Sequence, residues 1–538
     1  MVTAVTYARL RVTDPQRWRD VAATWRRWAD HAARWAAELT VCLRRVRRAW
    51  SSGTAAEAAG CRLDALRRHA ELFRVLCWEA DQAISEFAEA LDRARALLSQ
   101  ALRHAAGCGL FVDDDGAVRL SPAADAVSAS PEPLDWGTTT AVQDSARAAV
   151  ARGAVARVTA DITAAVRVAG DADATAAARL SALAGVAADR LAAGPADAPL
   201  PPCDAPAEVT RRWWDGLTVA QRHWLTVTRP TWIGSLDGVP ASFRDLANRL
   251  SLPGLRAAEP RPQVRAALDA LGDRLADPGR PRAYLIRLDA AAEGRAVIAV
   301  GDPDHTEHVL VHVPGMAAGL SSLGGDLGRA ERVAAHAAQR SSATSAATVL
   351  WLDYDAPDFL PEAASAHPAR DGAHRLRRFQ AGLRAGHDGP SHVTVLGHSY
   401  GSLVVGRAAS RPGLAADDLI FVGSPGVGAD SVHELGVPAA RVWSSTSRSD
   451  PIQHLAVSPG SLAADMAAGG VLPALAWSAL VHPAEELWHG ANPSDPEFGA
   501  RRFVSPPDAG HSGYWDPGSP ALDAITDIML GKRDVTPR

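Results

Sequence analysis

The stretch from Ser391 to Ala409 constrains the fold of this chain more than any other. It begins with a short apolar run, Val393 to Leu396, that predicts a strand, and it ends with small and aliphatic residues that predict a helix. Between the two lies the turn Gly397-His398-Ser399-Tyr400-Gly401. A sharp strand-to-helix turn needs residues without side chains two positions before and after its central serine, and Gly397 and Gly401 supply that clearance.

This turn predicts that Ser399 is a nucleophile. The corner exposes the serine hydroxyl, and the backbone N–H of Tyr400, at the start of the helix, points to where negative charge would develop on a substrate oxygen. The sequence therefore predicts a serine-based catalytic site here, with the Tyr400 N–H as one donor of an oxyanion hole.

The composition is that of a soluble globular protein. Of its residues, 47% are hydrophobic and 22% are charged, which is typical of globular domains. The length of 538 residues predicts two or three domains. The formal net charge of −5 gives no overall attraction to nucleic acid or to an anionic membrane. The first residues lack an apolar signal-peptide core, and no run of about 18 apolar residues occurs. We therefore expect a cytoplasmic chain without a transmembrane segment.

Residues 14–106 follow a helical, amphipathic pattern. Large apolar residues recur there at intervals of three, four and seven, which places them on one stripe of a long helix. The residues of this stripe are Trp18, Trp25, Trp28, Ala32 and Trp35. We expect a second helix, which carries Leu63, Leu72 and Phe87, to cover the stripe in an antiparallel hairpin.

The region after this hairpin predicts further helices and then a linker. Residues 111–121, FVDDDGAVRLS, predict a small β-hairpin or a loop, with Asp-Gly forming the turn. Ala/Val-rich helices are predicted at 141–169 and 174–193, and a Pro/Ala-rich linker follows at about 193–206. The expected domains are a helical hairpin or bundle at 1–125, further helices and the linker at 126–205, and a third domain at 206–538.

From residue 283 onward, short β-rich runs alternate with amphipathic helices. The predicted strands are 284–288, 296–300, 309–313, 348–352, 393–396, 419–422, 441–444 and 502–504. This alternation predicts a mostly parallel sheet flanked by helices, so the expected fold class is α/β, preceded by an all-α helical domain. Ser242 is the predicted N-cap of a helix that precedes the sheet. Ligands of such sheets bind beyond the carboxyl ends of the strands.

A serine nucleophile needs a base and a carboxylate that orients the base. In sheets of this kind the acid and the histidine follow the serine in that order. Asp450, on the loop after the strand at 441–444, is the predicted acid. Asp430, one strand earlier, is the alternative, but a later strand usually supplies this residue.

His511 is the predicted base, because it comes last in order and lies on a glycine-flanked loop that could reach Ser399. The other histidines considered are His398, His454, His482 and His489. His398 adjoins the serine, so its side chain should point away from it. The other three lie too close to Asp450 in sequence or inside a predicted cap.

The second oxyanion donor is expected on the loop after the third strand, in Val313-Pro314-Gly315-Met316. Gly315 allows the backbone to approach the substrate closely, and the Met316 N–H is the predicted donor. An ordinary strand-to-helix turn is the alternative interpretation of this segment.

Several of these motifs occur together, and in this order, in a known family. VLVHVPGMAAGLSS, WLDYDAP, VTVLGHSYGSLVVGRAA, LIFVGSPGVGAD and DAGHSGYWDP resemble segments of the actinobacterial α/β-hydrolases formerly classed as a domain of unknown function. The likeness covers about 210–530. It implies the α/β-hydrolase fold and a triad of Ser399, Asp450 and His511, but it implies no particular substrate.

The N-terminal hairpin resembles a second group of proteins. Its turn, Trp50-Ser51-Ser52-Gly53, is similar to that of the WXG-type hairpins associated with type VII secretion, with one extra residue between Trp50 and Gly53. The likeness implies a helical protein partner for residues 1–125. It also implies export by a type VII-like route as the alternative to a cytoplasmic location.

Residues 455–500 lie between the predicted acid and the predicted base. Their central part, 462–481, is rich in alanine and leucine, which predicts a cap that favours a small acyl or lipid-like substrate. A packed pair of helices without substrate contact is the alternative.

Motifs for other chemistries do not occur in the sequence. It contains no G-x-x-x-x-G-K-[ST] run, and HPAEELWH at 482–489 is not H-E-x-x-H, so we expect no cofactor, no metal and no nucleic acid. The expected function is that of a serine hydrolase, of esterase or lipase type, that cleaves a carboxylic ester or related acyl bond through an acyl-enzyme. The alternative is a non-catalytic interaction or secretion-associated protein that uses its helical domain and keeps a degenerate hydrolase platform.

Overall fold

The computed structural model describes residues 5–120, 139–188, 200–202, 204–341, 344–363, 365–410, 413–454, 486–487 and 489–535. The chain divides into two units, Met1–Ala193 and Gly194–Arg538, and each has its own hydrophobic core. Among the described helices, none combines the length and the apolar character that a bilayer span requires.

The first unit is built from long helices. They are α1 (Tyr7–Val12), α2 (Pro15–Ala49), α3 (Thr54–Gly107) and α4 (Thr139–Ala188). α3 packs along both α2 and α4. Strands β1 (Leu110–Val112) and β2 (Val118–Leu120) form the short antiparallel hairpin that the Asp-Gly turn predicted.

Mostly alanines, and few of the tryptophans, form the contact of α2 with α3. The buried residues on this side of α2 are Ala22, Ala29, Ala32, Ala36 and Leu43. By contrast, Trp28 and Trp35 are each 47% exposed, and Trp18 is 38% exposed. The prediction that a second helix covers the tryptophan stripe was therefore wrong for Trp28 and Trp35. Trp18 does pack edge-on against Phe87 of α3, one of the predicted partners, with ring centroids 5.0 Å apart. Alanines let the two helices approach closely, and the bulkier indoles remain at the edge of the contact.

Residues 139–188 form one continuous helix, where the sequence predicted two. Gly170 lies near the expected break, but a glycine inside a helix costs only about 1 kcal/mol relative to alanine. Packing of the helix buries Ile162, Ala165 and Ala169 before this glycine and Ala176 after it. Continuous burial on both sides of Gly170 outweighs that local cost.

The second unit begins with helices and continues into an eight-stranded sheet. The helices that precede the sheet are α5 (Ala207–Asp215), α6 (Val219–Thr228), α7 (Pro230–Ser235), α8 (Ala241–Ala258) and α9 (Pro262–Ala276). Those that follow its first strands are α10 (Leu323–Arg340), α11 (Leu360–Ala363), α12 (His367–Gly386), α13 (Tyr400–Ala409) and α14 (Pro520–Met529).

The sheet is mostly parallel. Its strands are β3 (Ala283–Asp289), β4 (Arg295–Val300), β5 (His308–Val313), β6 (Ala346–Leu352), β7 (His392–His398), β8 (Asp418–Val422), β9 (Val442–Ser445) and β12 (Arg501–Arg502), in the spatial order β12-β9-β8-β7-β5-β6-β4-β3. β4 runs antiparallel to both of its neighbours. A separate antiparallel pair is formed by β10 (Glu486–Leu487) and β11 (Gly490–Ala491). The predicted fold class, α/β after an all-α domain, is confirmed.

Alternate residues of each central strand face opposite cores. Leu396 and Ile420 belong to one core, together with Ile525 of α14, whereas Val395 and Leu419 belong to the other. Burial on both faces explains why these strands consist of continuous apolar runs.

α8 begins at Ala241 with Pro240 as its N-cap, so the prediction of Ser242 as the N-cap was wrong. The buried carboxylate of Asp304 accepts hydrogen bonds from the N–H groups of Ala241 (3.0 Å) and Ser242 (3.1 Å). A side chain distant in sequence thus satisfies the first N–H groups of the helix, as a local capping residue would. Burial raises the pKa of Asp304 to about 7.

Candidate active site

Ser399 lies at the corner between β7 and α13. It is the N-cap of α13, and its φ of 53° and ψ of −131° lie outside the regions that most residues with a side chain adopt. Such a conformation costs about 1–3 kcal/mol and is characteristic of functional positions. The Ser399 N–H donates to the Val422 carbonyl oxygen at 3.1 Å, which fixes the corner to the end of β8.

Two glycines make this corner sterically feasible. A Cβ atom on Gly397 would lie 2.5 Å from the Cα of Ser402, and one on Gly401 would lie 2.3 Å from the Val313 carbonyl oxygen. Both distances are far below van der Waals contact, so neither position has room for a side chain. The Tyr400 N–H belongs to the first turn of α13, where N–H groups have no partner within the helix.

The loop after β5 packs directly on the serine. A Cβ atom on Gly315 would lie 2.5 Å from Ser399 Cβ and 3.0 Å from its Oγ. The buried Tyr354 hydroxyl donates to the carbonyl oxygens of Pro314 (2.7 Å) and Gly315 (3.3 Å), which holds the loop in this position. Met316, the next residue, is 38% exposed.

Asp450 and His511 form a hydrogen-bonded pair. His511 Nδ1 lies 2.9 Å and 3.0 Å from the two carboxylate oxygens of Asp450, which is fully buried. With its proton on Nδ1, the imidazole donates to the carboxylate and keeps Nε2 available to accept a proton. The His511 side chain is 35% exposed, so solvent and small molecules can reach it.

The end of β8 brings this pair to the serine corner. A Cβ atom on Gly423 would lie 2.8 Å from Asp450 Oδ2 and 3.3 Å from His511 Cε1. The preceding residue, Val422, accepts the N–H of Ser399. The structure therefore gathers the three predicted triad residues at the carboxyl ends of β7 and β8, although they are far apart in sequence.

Two further side chains support the pair, and sequence reasoning missed both roles. The Tyr514 hydroxyl donates to Asp450 Oδ2 at 2.6 Å. His398 Nε2 lies 2.9 Å from the His511 carbonyl oxygen, and burial keeps the pKa of His398 well below its usual value, so the ring is neutral and donates this bond.

The alternative residues lie in other surroundings. Asp430 is exposed, and its backbone N–H donates to Glu434 Oε1 at 2.9 Å. His489 is buried, and its Nε2 lies 2.8 Å from the Ala363 carbonyl oxygen. The side chain of His454, residue 482 and most of the predicted cap, 455–485, lie outside the described residues.

Comparison with known proteins supports the hydrolase fold. An alpha/beta hydrolase family model matches residues 289–459, which include the β5 loop, the serine corner and Asp450. The uncharacterized protein Rv2079 of Mycobacterium tuberculosis is 31% identical over 394 residues, which cover 62% of this chain and 57% of that protein. The uncharacterized protein Mb0988c of Mycobacterium bovis is 39% identical over 183 residues, which cover 32% of this chain and 68% of that protein.

The fold and the serine corner define a chain of α/β-hydrolase architecture. Together with the family match and the mycobacterial relatives, they show that the chain belongs to this alpha/beta hydrolase family. The chain spans 57% of the length of Rv2079 and its counterpart MT2140.

Proposed function

We propose that this protein is a serine hydrolase that cleaves a carboxylic ester or a related acyl bond through Ser399, His511 and Asp450. The observation that carries the proposal is the hydrogen-bonded pair of His511 and the fully buried Asp450, beside a serine on a strained strand-to-helix corner. Family membership supports the same conclusion.

In the first half of the reaction, Ser399 Oγ attacks the acyl carbon while His511 Nε2 accepts the hydroxyl proton. Asp450 holds the imidazole in the correct tautomer and stabilises its protonated form. The bond to the leaving alcohol then breaks as the protonated His511 returns its proton to the alcohol oxygen. An acyl-enzyme on Ser399 remains.

In the second half, water attacks the acyl carbon and gives a proton to His511, and the acid product leaves as the proton returns to Ser399 Oγ. Both tetrahedral intermediates carry a negative oxygen. The N–H groups of Tyr400 and Met316 are the proposed donors to that oxygen, because one begins a helix and the other follows the loop packed on the serine.

Matched substitutions test the assignment of the acid. Asp450→Asn should lower kcat for a p-nitrophenyl ester by about 10⁴-fold, because the amide favours the wrong tautomer of the histidine. Asp430→Asn, which changes an exposed acid of the neighbouring loop in the same way, should leave kcat unchanged. Equal effects of the two substitutions, with both proteins folded, would refute the assignment.

The proposed substrate class is a small acyl or lipid-like ester. It follows from the apolar composition of the segment between the acid and the base. A series of p-nitrophenyl esters of increasing chain length tests it, because kcat/KM should rise with chain length. A constant or falling value would contradict an apolar acyl site.

The exposed indoles of α2 support a second function, the binding of a helical protein partner. Trp28 and Trp35 are each 47% exposed on this helix, so the partner should carry apolar residues on one face. Co-purification of a small helical protein with the wild-type chain, and its loss in Trp28→Ala/Trp35→Ala, would support this function. Recovery of the same protein with the doubly substituted chain would contradict it.

A further inference from the structure

Two exposed apolar side chains lie at the edge of the sheet that carries the serine corner. Among the described residues from 283 onward, Met316 and Phe359 are the two most exposed large hydrophobic side chains, at 38% and 52%. Met316 follows the end of β5, and Phe359 follows the end of β6. These strands are parallel neighbours, so both residues lie at the edge where ligands of such sheets bind.

The segment that carries Phe359 is joined at both of its ends to residues beside the serine. At one end, the Ala317 N–H, on the loop that packs on the serine, donates to the Pro357 carbonyl oxygen at 2.8 Å. At the other end, the hydroxyl of Tyr400, the residue after the serine, donates to the Ser365 carbonyl oxygen at 2.5 Å. Phe359 lies between these two attachments, so its segment borders the serine corner.

The order of the strands places this segment on the side of the serine that is away from His511. The strands β8, β7, β5 and β6 follow one another along the sheet. The pair of His511 and Asp450 lies at the end of β8, and Ser399 lies at the end of β7. Met316 and Phe359 follow the next two strands, β5 and β6.

This arrangement assigns the two parts of an ester to different sides of the serine. The leaving alcohol has to lie near His511, because His511 returns a proton to its oxygen. The acyl chain is bonded to the same carbon as that oxygen and points away from it. Its direction is therefore toward the ends of β5 and β6, where the two exposed apolar side chains lie.

We propose that Met316 and Phe359 form the acyl-binding edge of this site and select substrates with an aliphatic chain of several carbons. The proposal rests on the serine hydrolase function proposed above. A chain that lies along the two side chains removes apolar surface from water, and a methionine adapts to chains of different shape. An acetyl group has only one methyl group to offer and gains little from this edge.

Ester kinetics on matched variants test the proposal. The measured quantity is the ratio of kcat/KM for p-nitrophenyl octanoate to kcat/KM for p-nitrophenyl acetate. Phe359→Ala should lower this ratio at least about fivefold, because the octanoyl chain loses apolar contact and the acetyl group has little to lose. Phe359→Leu keeps an apolar side chain at the edge and should retain most of the wild-type ratio. Phe111→Ala is the matched control, because Phe111 is 53% exposed and belongs to the first unit, and its ratio should equal that of the wild type.

An unchanged ratio in Phe359→Ala would overturn the proposal. So would an equal fall of the ratio in Phe111→Ala, because the effect would then not be specific to this edge. Phe359 is half exposed, so its removal should leave the fold intact, and urea unfolding of each variant checks this. A wild-type protein that hydrolyses neither ester would instead refute the proposed function.

In that case, binding of octanoate, the acid product, decides the proposal without catalysis. Isothermal titration calorimetry should give a Kd that is at least about fivefold higher for Phe359→Ala than for the wild type, with Phe111→Ala equal to the wild type. Failure of octanoate to bind the wild-type protein, or one Kd for all three proteins, would overturn the proposal.

Discussion

Gly315 offers the sharpest structural test of the loop that packs on the serine. In Gly315→Ala the new Cβ would lie 2.5 Å from Ser399 Cβ and 3.0 Å from the His398 carbonyl oxygen. Neither neighbour is the end of a flexible side chain, so the strain cannot be relieved by a rotamer change. The backbone of the loop has to move away from the serine.

The size of the effect follows from these distances. Carbon atoms pack best at about 3.5–4.0 Å, so relief requires a shift of about 1 Å. A displacement of this size at a catalytic centre can lower the rate by about 10²-fold, and overpacking of this kind costs about 1–3 kcal/mol of unfolding free energy. We therefore expect a folded protein with kcat for a p-nitrophenyl ester reduced by about 10²-fold.

Gly324→Ala is the matched control, because a Cβ atom there has no neighbour within 4 Å and the residue lies in α10. Its kcat should equal that of the wild type. Urea unfolding and steady-state kinetics on both variants complete the test. Wild-type kcat in Gly315→Ala would refute the inference that this loop forms part of the catalytic centre.

Three further substitutions test other parts of the structure. Tyr514→Phe removes the 2.6 Å hydrogen bond to Asp450 and should lower kcat about tenfold with KM unchanged, as measured by ester kinetics; an unchanged kcat would exclude a positioning role. Burial lowers the pKa of His312 to about 3, so the unfolded chain takes up a proton near pH 6.5 that the folded chain does not, and stability falls as the pH drops below 6.5. Between pH 7 and pH 5 this proton uptake should lower the free energy of unfolding by about 2 kcal/mol, and His312→Leu should remove that part of the decrease. Urea unfolding at both pH values measures it, and an unaltered pH dependence would contradict the prediction. Asp304→Ala leaves two N–H groups at the start of α8 without their acceptor and should cost about 2 kcal/mol in urea unfolding at pH 7.5; an unchanged midpoint would show that this carboxylate does not stabilise the helix.

The architecture of the second unit could be predicted from local patterns. Strands buried on both faces consist of continuous apolar runs, and 284–288 and 393–396 each lie inside an observed strand, Ala283–Asp289 and His392–His398. The serine corner was also predictable, because a turn with so little space admits only glycine at positions 397 and 401. Both features depend on interactions that are close in sequence.

Other features depend on contacts that a single sequence does not reveal. The N-cap acceptor of α8 is Asp304, more than sixty residues away, whereas the local sequence pattern predicts Ser242. The hydrogen bond of Tyr514 to Asp450 likewise joins two loops that meet only in the folded chain. On α2, the spacing of the apolar residues predicts one helix face, but small and large residues fit the helix contact differently, and periodicity alone does not distinguish them.

Labelling with a fluorophosphonate probe, followed by mass spectrometry of the modified peptide, tests the central claim most directly. The probe reacts with a serine only when a neighbouring base activates its hydroxyl. We expect one modified serine, Ser399, and no modification in Ser399→Ala or in His511→Ala. Failure of the folded wild-type protein to react, or modification of a different serine, would contradict the claim.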